Sequence, residues 1–300
     1  MPCKFSAKIK NIWFYNRGEK MKVDLSGKVA VVTGGGGVLC STMSKALASS
    51  GAKVAILDLK AEAAQRVADE ITAAGGIAIG VAANVLDPAS LASAAKLVEE
   101  KFGVCDILVN GAGGNHPRGT TDKEFLEQSD LTDPAEGLKS FFDLDPSGVE
   151  FVFNLNFLGT LLTCQAFCRK MAERGSGSVI NISSMNAFTP LTKIPAYSGA
   201  KAAISNFTRW LAVHFSKVGI RVNAIAPGFF LTEQNRALLL DAEGKLTARG
   251  NKIISHTPMG RFGVPEDLTG ALLFLNDDSS SFINGIVLPI DGAFSAYSGV

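Results

Sequence analysis

The chain has 300 residues, of which 47% are hydrophobic and 19% are charged. This composition indicates a globular protein with a sizeable core and excludes a disordered chain, and the length fits one large α/β domain or two small ones. The formal net charge is +1. No global field therefore favours nucleic acid or an anionic membrane, and we expect neither as a partner.

Cysteine usage and hydropathy bear on the cellular compartment. The five cysteines form an odd set without paired metal-ligand spacing, in a chain too large to need disulfide bonds. No uninterrupted apolar run reaches the roughly 18 to 20 residues that span a bilayer. We therefore expect a cytoplasmic protein without a membrane span. The sequence contains no cluster of histidines and carboxylates, so we predict no metal site.

Residues 1–20 differ from the rest of the chain, because basic residues surround a short apolar patch at 12–15. No cleavage-site pattern follows this patch, so a secretory signal is a poor fit. We interpret 1–20 as an N-terminal tail. An open alternative is that translation begins at Met21 and that the tail does not belong to the native protein. Residues 21–300 then form a single domain.

From residue 29 onward, apolar runs of strand length alternate with helical stretches. Strands this apolar, alternating with helices, form a parallel sheet that is covered on both faces. The predicted fold is therefore α/β: a three-layer, Rossmann-type, doubly wound sheet of seven mainly parallel strands with helices on both faces. The predicted strands are 29–33, 53–58, 77–82, 107–109, 178–182, 221–226 and 286–290. The predicted helices between the first six strands are 41–50, 61–74, 88–102, 149–173 and 195–217.

Two long polar stretches, 111–148 and 229–263, break the alternation, and each follows the carboxyl end of a predicted strand. Ligands bind at that edge of an open α/β sheet. We therefore expect these insertions to form walls or lids around a substrate.

A Gly-rich turn follows the first predicted strand and precedes a helix. Glycines let the backbone approach a pyrophosphate, whose charge a helix amino terminus favours. The second strand ends at Asp58, where a carboxylate can accept hydrogen bonds from ribose hydroxyls and repels a 2′-phosphate. We predict NAD as the cofactor, with NADP less favoured but left open by the nearby Lys60. The turn residues assigned to the cofactor are Gly34, Gly36, Gly37, Val38 and Leu39.

Tyr197 precedes Lys201 by four residues, in a stretch where Pro195 predicts the start of a helix. The two side chains then share a helix face, where the ammonium can act on the phenol. The phenol pKa has to fall from about 10 toward 7 for proton exchange at neutral pH. The spacing alone is a weak signal, because tyrosine–lysine pairs of this kind also arise by chance.

Together, these motifs resemble the short-chain dehydrogenase/reductase family over residues 22–300. Ser184 lies 13 residues before Tyr197, which is the spacing of the family. The resemblance implies that Tyr197 is the acid/base and that Ser184 orients the substrate oxygen. It also implies that Lys201 lowers the tyrosine pKa and holds the nicotinamide ribose, and that Asn156 anchors a water for a proton relay. The cofactor contacts implied by the resemblance are Asn84, Val85, Asn110, Gly111, Ala112, Tyr197, Lys201, Pro227, Gly228 and Thr232.

Three positions depart from the family pattern. Val38 and Cys40 stand where the family turn has glycine, and Gly111 replaces a second asparagine. Cys40 is small enough for close helix packing, but Val38 adopts a left-handed conformation only at a cost. These departures concern the details of pyrophosphate contact.

More narrowly, the chain resembles the D-mannonate oxidoreductase (fructuronate reductase) branch of the family, which implies interconversion of D-mannonate and D-fructuronate with NAD(H). A sugar acid carries one carboxylate and several hydroxyls, so its pocket should contain a cation and many amide or hydroxyl groups. The residues assigned to the substrate are Asn115, His116, Arg118, Ser184, Asn186, Gln234 and Arg236.

Two alternatives remain open. One is the same chemistry on gluconate and 5-ketogluconate, on another polyol or on a 3-oxoacyl substrate. The other is a non-catalytic dinucleotide-binding regulator, which predicts erosion of the four catalytic positions, whereas all four are filled. The resemblance also implies a homotetramer built by pairing long helices and the last strand.

Overall fold

Seven strands form one sheet in the order β3-β2-β1-β4-β5-β6-β7 in a computed structural model, which describes residues 23–232 and 235–299. All six strand pairings are parallel. The predicted tail at 1–20 and the predicted substrate residue Gln234 lie outside the described residues. The strands are β1 Val29–Thr33, β2 Lys53–Asp58, β3 Ile77–Ala82, β4 Ile107–Asn110, β5 Gly177–Ile182, β6 Ile220–Pro227 and β7 Val287–Ile290.

Helices cover both faces of the sheet, and this explains why the central strands are almost continuously apolar. All five residues of β1 are buried. Successive residues of β5 point into different cores. Ile180 belongs to the hydrophobic cluster that includes Leu47 and Leu272, and Val179 belongs to the cluster that includes Val98 and Phe167. The predicted three-layer, doubly wound fold is confirmed. The helices are α1 Val38–Ser49, α2 Ala61–Ala73, α3 Pro88–Phe102, α4 Gln128–Thr132, α5 Pro146–Phe153, α6 Gly159–Arg174, α7 Pro195–Phe215, α8 Arg236–Leu239, α9 Ala248–Ser255 and α10 Thr269–Asn276.

The direction in which the chain adds strands reverses between β1 and β4, which are neighbours in the sheet. Connections leave this point toward opposite faces, so a crevice forms outside the carboxyl ends of the two strands. The Gly-rich turn after β1 and residues 111–114 after β4 therefore meet at one place.

The fourth predicted helix begins earlier than expected. It starts at Pro146 instead of residue 149, because Asp145 caps it by accepting a hydrogen bond from the Ser147 N–H at 2.8 Å. A π-helical turn, Asn154–Leu158, then joins α5 to α6, so that the three segments form one continuous helical rod, Pro146–Arg174. An added residue of this kind is not visible as a change in hydrophobic periodicity, which explains why the sequence did not predict it.

In the described part of the chain, the rod Pro146–Arg174 is the one helix long and apolar enough to cross a bilayer by length and composition. Glu150, Asn154 and Asn156 interrupt its apolar residues, so the expectation that no uninterrupted apolar run reaches this length is not contradicted. Its most apolar 18-residue window is 44% buried within the fold. The rod packs against α3, α7 and the sheet, and this core position accounts for its apolar character.

The two polar insertions are tied to each other and to the site. Glu124 in the first accepts an ion-paired hydrogen bond from Lys252 of α9 in the second, with 2.5 Å between Oε2 and Nζ. The Thr121 N–H donates to the Lys193 carbonyl at 2.8 Å. Lys193 lies between Ser184 and Tyr197 in the chain, so the first insertion is anchored beside the predicted catalytic residues.

Candidate active site

Ser184, Tyr197 and Lys201 lie together at the carboxyl edge of the sheet. Ser184 follows β5, and the other two side chains lie on the first two turns of α7, which begins at Pro195 as predicted. Pro195 occupies the first helical position, where its missing N–H leaves no hydrogen bond unmade. The four-residue spacing therefore places the phenol and the ammonium on one helix face.

The Ser184 side chain acts on the Tyr197 phenol, whose pKa it lowers. The Asn186 N–H donates to Ser184 Oγ at 3.2 Å and orients the hydroxyl. Burial raises the pKa of Tyr197 and outweighs this effect of Ser184. The phenol is therefore protonated at neutral pH and lies beside a second hydroxyl, an arrangement that suits proton donation to a carbonyl oxygen.

Lys201 is only 5% exposed, which is unusual for a lysine. Its Nζ donates to the Ile182 carbonyl at 2.8 Å and lies 5.6 Å from the centroid of the Tyr197 ring. Burial lowers the pKa of Lys201 to about 8. The role that the resemblance implies for Lys201, lowering the Tyr197 pKa and holding the nicotinamide ribose, stays a prediction.

Asn156 sits in the π-helical turn and is 1% exposed. Its Nδ2 donates to the Val152 carbonyl at 2.7 Å and to the Gly114 carbonyl at 2.8 Å, and its Oδ1 accepts from the Gly114 N–H at 3.2 Å. A Cβ on Gly113 would lie 2.5 Å from Asn156 Oδ1 and 3.2 Å from Lys201 Nζ. The extra residue of the π turn thus brings Asn156 to the exit of β4, next to the lysine. The predicted water relay through Asn156 stays a prediction.

The turn after β1 forms a cradle with the shape that a dinucleotide requires. Gly34 has φ +62°, and a Cβ there would lie 2.9 Å from Ala112 Cα. Gly37 is the N-cap residue of α1 and supplies no side-chain cap, so N–H groups at the helix start are free to meet phosphate oxygens. Asp58 Oδ2 accepts the Gly36 N–H at 3.0 Å, which fixes the carboxylate at the end of β2. These residues fit a nicotinamide dinucleotide.

A family model for short chain dehydrogenases matches residues 28–242. The chain belongs to this family. It is 60% identical over 278 residues to an uncharacterised oxidoreductase of Haemophilus influenzae, covering 92% of this chain and 96% of the relative. It is 55% identical to the uncharacterised oxidoreductase UxuB of Bacillus subtilis, covering 92% of this chain and 98% of the relative.

Two solved structures resemble this dehydrogenase over most of its length. A protein from Haemophilus influenza, proposed to be a D-mannonate oxidoreductase and solved with bound NAD, is 60% identical with a TM-score of 0.87, covering 92% of this chain and 98% of that one. A gluconate 5-dehydrogenase from Burkholderia cenocepacia, in complex with NADP and tartrate, is 30% identical with a TM-score of 0.77, covering 92% of this chain and 98% of that one.

Cys40 and Gly111, two departures of this dehydrogenase from the family pattern, touch each other. A Cβ on Gly111 would overlap the Cys40 sulfur and would lie 2.8 Å from the Thr33 carbonyl oxygen. The thiol therefore fills the space that a side chain at position 111 would need. Val38 is the first residue of α1, and among the described non-glycine residues only Lys193 and Ala293 have positive φ. The expected backbone cost at Val38 does not arise.

The remaining residues predicted to contact the cofactor differ in their side-chain environments. Val85 is buried against Gly159, whereas Asn84 is exposed and accepts from the Leu86 N–H at 3.0 Å. The Asn110 amide is turned into the core, where its Nδ2 donates to Asn181 Oδ1 at 2.8 Å. At Asn110 only the main chain is therefore left to face the crevice. Gly111, Ala112, Pro227, Gly228 and Thr232 lie at or just beyond the carboxyl ends of β4 and β6, where their cofactor contacts stay a prediction.

The predicted substrate residues are dispersed. Asn186 is buried beside Ser184, whereas Asn115 is exposed and bonds Thr120. His116 accepts from the Arg118 N–H, and the Arg118 guanidinium is paired with Asp145 at 3.1 Å. Arg236, the first residue of α8, is exposed and has no carboxylate partner within the described chain.

Sequence reasoning assigned no role to Thr33 or to Lys193. The Thr33 hydroxyl accepts the N–H groups of Gly111 and Ala112 at 3.1 and 3.2 Å. Its place at the carboxyl end of a strand beside the Gly-rich turn was a usable signal. The left-handed backbone of Lys193, with φ +72°, has no sequence signal, because lysine does not favour that conformation.

We expect Gly111→Ala to weaken NADH binding about tenfold, because the added methyl overlaps the Cys40 sulfur and displaces the exit of β4. The double variant Cys40→Gly, Gly111→Ala should regain part of that loss, since the sulfur is then absent while the close approach to the Thr33 carbonyl oxygen remains. Gly270→Ala is the matched control, because nothing lies within 4 Å of a Cβ there. Fluorescence titration with NADH measures the affinities, and a double variant no better than the single one would contradict the contact.

The pKa of Lys201 predicts a dependence of stability on pH. Between about 8 and 10.5 the unfolded chain holds a proton on this lysine that the folded chain has lost, so the folded state gains stability as pH rises. Relative to Lys201→Met, we expect the free energy of unfolding of the cofactor-free wild type to increase by about 3 kcal/mol across that window. Urea unfolding at pH 7.5 and pH 10 measures it.

The exposed Lys217, just beyond the end of the same helix, supplies the control for this measurement. Lys217→Met should follow the wild type at both pH values. Parallel pH dependences for the wild type and Lys201→Met would show that the ammonium is not desolvated.

Proposed function

We propose that this dehydrogenase interconverts D-mannonate and D-fructuronate by hydride transfer with NAD(H). At the coarser level it is an NAD-dependent short-chain oxidoreductase. The observation that carries the finer proposal is its 60% identity, over 92% of its length, to the Haemophilus protein proposed to be a D-mannonate oxidoreductase. The Tyr197–Ser184 pair beside Lys201 provides the acid/base chemistry that such a reaction needs.

Gly34, Gly37 and Asp58 would hold NAD(H), which would supply the hydride acceptor in one direction and the hydride donor in the other. In reduction, the Tyr197 phenol gives its proton to the carbonyl oxygen as that oxygen becomes an alkoxide, and in oxidation the phenolate takes the proton back. Ser184 Oγ donates a second hydrogen bond to the same oxygen. The ammonium of Lys201, 5.6 Å from the phenol ring, stabilises the phenolate once the proton has left.

The substrate carboxylate needs a cation that is not already neutralised. Arg118 is engaged with Asp145 at 3.1 Å. Arg236 lies in the second insertion, exposed and without a carboxylate partner in the described chain. We assign the carboxylate to Arg236, whose guanidinium can bind both oxygens in a bidentate manner. Asn186, buried next to Ser184, is assigned to a substrate hydroxyl.

The nearest rival is reduction of 5-ketogluconate, and the similarity to the Burkholderia gluconate 5-dehydrogenase supports it. That protein was solved with NADP, whereas Asp58 here disfavours a 2′-phosphate. Another polyol or a 3-oxoacyl substrate would follow the same chemistry at Tyr197. A non-catalytic regulator would not need a buried lysine beside a phenol.

We expect the purified protein to oxidise NADH with D-fructuronate at a kcat/KM at least tenfold above that with 5-ketogluconate. Arg236→Gln should raise KM for D-fructuronate about tenfold with a smaller change in kcat, because a charged hydrogen bond to the substrate is lost. Steady-state absorbance at 340 nm measures both. Turnover of 5-ketogluconate alone would remove the mannonate assignment.

Two further variants serve as a control and as a test of the acid/base in this assay. Arg209→Gln, at an exposed arginine on the outer part of α7, should leave KM unchanged. Tyr197→Phe should abolish turnover while NADH still binds, and persistent activity would refute the acid/base assignment.

We also propose that the protein is a cytoplasmic homotetramer, one of whose interfaces is an aromatic face on α7 and the preceding rod. Phe207 stacks on Trp210 with centroids 6.2 Å apart, and Trp210 stacks on His214 at 4.7 Å. Trp210 is 56% exposed and Val213 is 76% exposed. An apolar face of this kind on two long helices fits a second copy of itself across a two-fold axis. The described cysteines are all free and buried, which suits a reducing compartment.

Trp210→Glu combined with Val213→Glu should convert the assembly to smaller species, because the carboxylates would be buried without partners. Phe125→Glu, at a residue 74% exposed in the first insertion, is the matched control and should leave the mass unchanged. Light scattering after gel filtration measures the mass. A double variant that keeps the wild-type mass would exclude this face as an interface.

A further inference from the structure

A cavity of about 570 Å³ lies at the amino-terminal edge of the sheet. All strands are parallel, so this edge is opposite the one that carries Tyr197. β6 alone has eight residues and separates the two edges by roughly 23 Å at about 3.3 Å per residue. The volume is within the range of small-molecule sites. The charged lining residues are Lys28, Asp106, Arg221 and Asp278, and the uncharged polar ones include Ser178 and Asn276.

One cation of this cavity is not neutralised. Arg221 is half-buried, and its Nη1 donates to the Ile283 carbonyl at 3.2 Å. It forms no ion pair with any carboxylate of the described chain, although Asp277 and Asp278 act on it from a distance. Burial lowers the pKa of its guanidinium, which shows the cost of desolvating this charge.

The other charged groups of the lining already have partners. Asp106 pairs with Arg174 at 3.0 Å and accepts the Val29 N–H at 2.7 Å. Lys28 lies 3.8 Å from Asp278. Arg221 is therefore the one charged lining residue without an ion-pair partner in the described chain, and an anionic ligand would supply that partner.

Two buried polar atoms of the lining lack hydrogen-bond partners in the described chain: Ser178 Oγ and Asn276 Oδ1. Ser178 pairs in register with Arg221 on the next strand. The strand alternation puts Ser178 on the same face as Ile180, which packs in one cluster with residues of α10. Asn276 is the last residue of α10. The guanidinium, the hydroxyl and the amide oxygen thus converge on the space between the sheet and the end of α10.

We propose that this cavity binds a small anion that also carries hydroxyl groups, such as a hydroxy acid or a sugar phosphate. Arg221 pairs with the anionic group, and Ser178 donates a hydrogen bond to it. Asn276 Oδ1 can only accept, so it requires a donor, which a ligand hydroxyl provides. Burying these groups without partners is costly, and a ligand of this class satisfies all three at once.

The test titrates the full-length, NADH-saturated protein by calorimetry with two probes, D-glycerate and glycerol 3-phosphate. Saturable binding of at least one probe below 10 mM is expected, and the stronger one identifies the anion as carboxylate or phosphate. Glycerol lacks the anion, and acetate and inorganic phosphate lack the carbon-bound hydroxyls. Each should bind at least tenfold more weakly than the better probe.

Arg221→Met should weaken probe binding at least tenfold, and Arg221→Lys should weaken it less, because charge remains but the bidentate geometry is lost. Ser178→Ala should also weaken binding about tenfold while raising the Tm of the ligand-free protein, since it removes an unpaired buried hydroxyl. This opposite response separates a ligand site from a structural serine. If Arg221→Met fails to fold, Ser178→Ala and Arg221→Lys decide.

Ser184→Ala, at the opposite edge, distinguishes this cavity from the catalytic site, because probe binding should be unchanged in that variant. The proposal is overturned if neither probe binds below 10 mM, or if the Ser178 and Arg221 variants bind as tightly as the wild type. Loss of binding in Ser184→Ala would assign the probes to the catalytic edge and also overturn it. Inorganic phosphate or acetate binding as tightly as the better probe would overturn the requirement for hydroxyls.

Discussion

The crevice of this enzyme depends on the close approach of two strand ends, β1 and β4, which the Thr33 hydroxyl holds together. Thr33 is 1% exposed, and its Oγ1 accepts both the Gly111 and the Ala112 N–H groups. A buried amide without a partner costs about 1 to 3 kcal/mol, so one hydroxyl satisfies two donors and fixes the separation of the strands. The turn that would hold the pyrophosphate and the loop that meets Lys201 therefore take their positions from the same contact.

The close approach of the ends of β1 and β4 requires small residues at the contact, and it also buries Lys201. Gly34 meets Ala112, and Gly113 fits between Asn156 and Lys201, each at a distance that a Cβ would violate. The space left for the lysine is closed to water, and a single carbonyl, that of Ile182, is its hydrogen-bond acceptor in the described chain. The ammonium is held at a cost in stability, as is common where a site is built for a partner that completes it.

The fold was predictable because its signals are local and repeated. Apolar runs, helix breakers and Pro195 located every strand and the start of α7 to within one or two residues. Asn156, Ser184, Tyr197 and Lys201 were selected by spacing and resemblance, and their catalytic roles stay predictions. What was not predictable depends on contacts between distant segments. The Cys40 sulfur against Gly111, the π turn that carries Asn156 and the left-handed Lys193 leave no periodic trace in the sequence.

The direction in which the Tyr197 pKa shifts was also not predictable from the sequence. Spacing indicates that an ammonium is near the phenol, but it does not give the dielectric environment. Desolvation acts on both groups: it raises the pKa of Tyr197 and lowers the pKa of Lys201. Burial therefore favours the neutral form of both side chains, which the four-residue spacing alone does not reveal.

The precision of the site rests on polar contacts beneath it. Asn110 Nδ2 donates to Asn181 Oδ1 at 2.8 Å, and Asn181 Nδ2 donates to Thr208 Oγ1 at 2.9 Å, so β4, β5 and α7 are joined by a buried ladder. Apolar packing tolerates small shifts of a helix along a sheet. A slip of α7 by one residue would unpair this ladder at about 1 to 3 kcal/mol for each buried group. The ladder therefore sets the axial position of α7, and with it the distance at which Tyr197 meets Ser184.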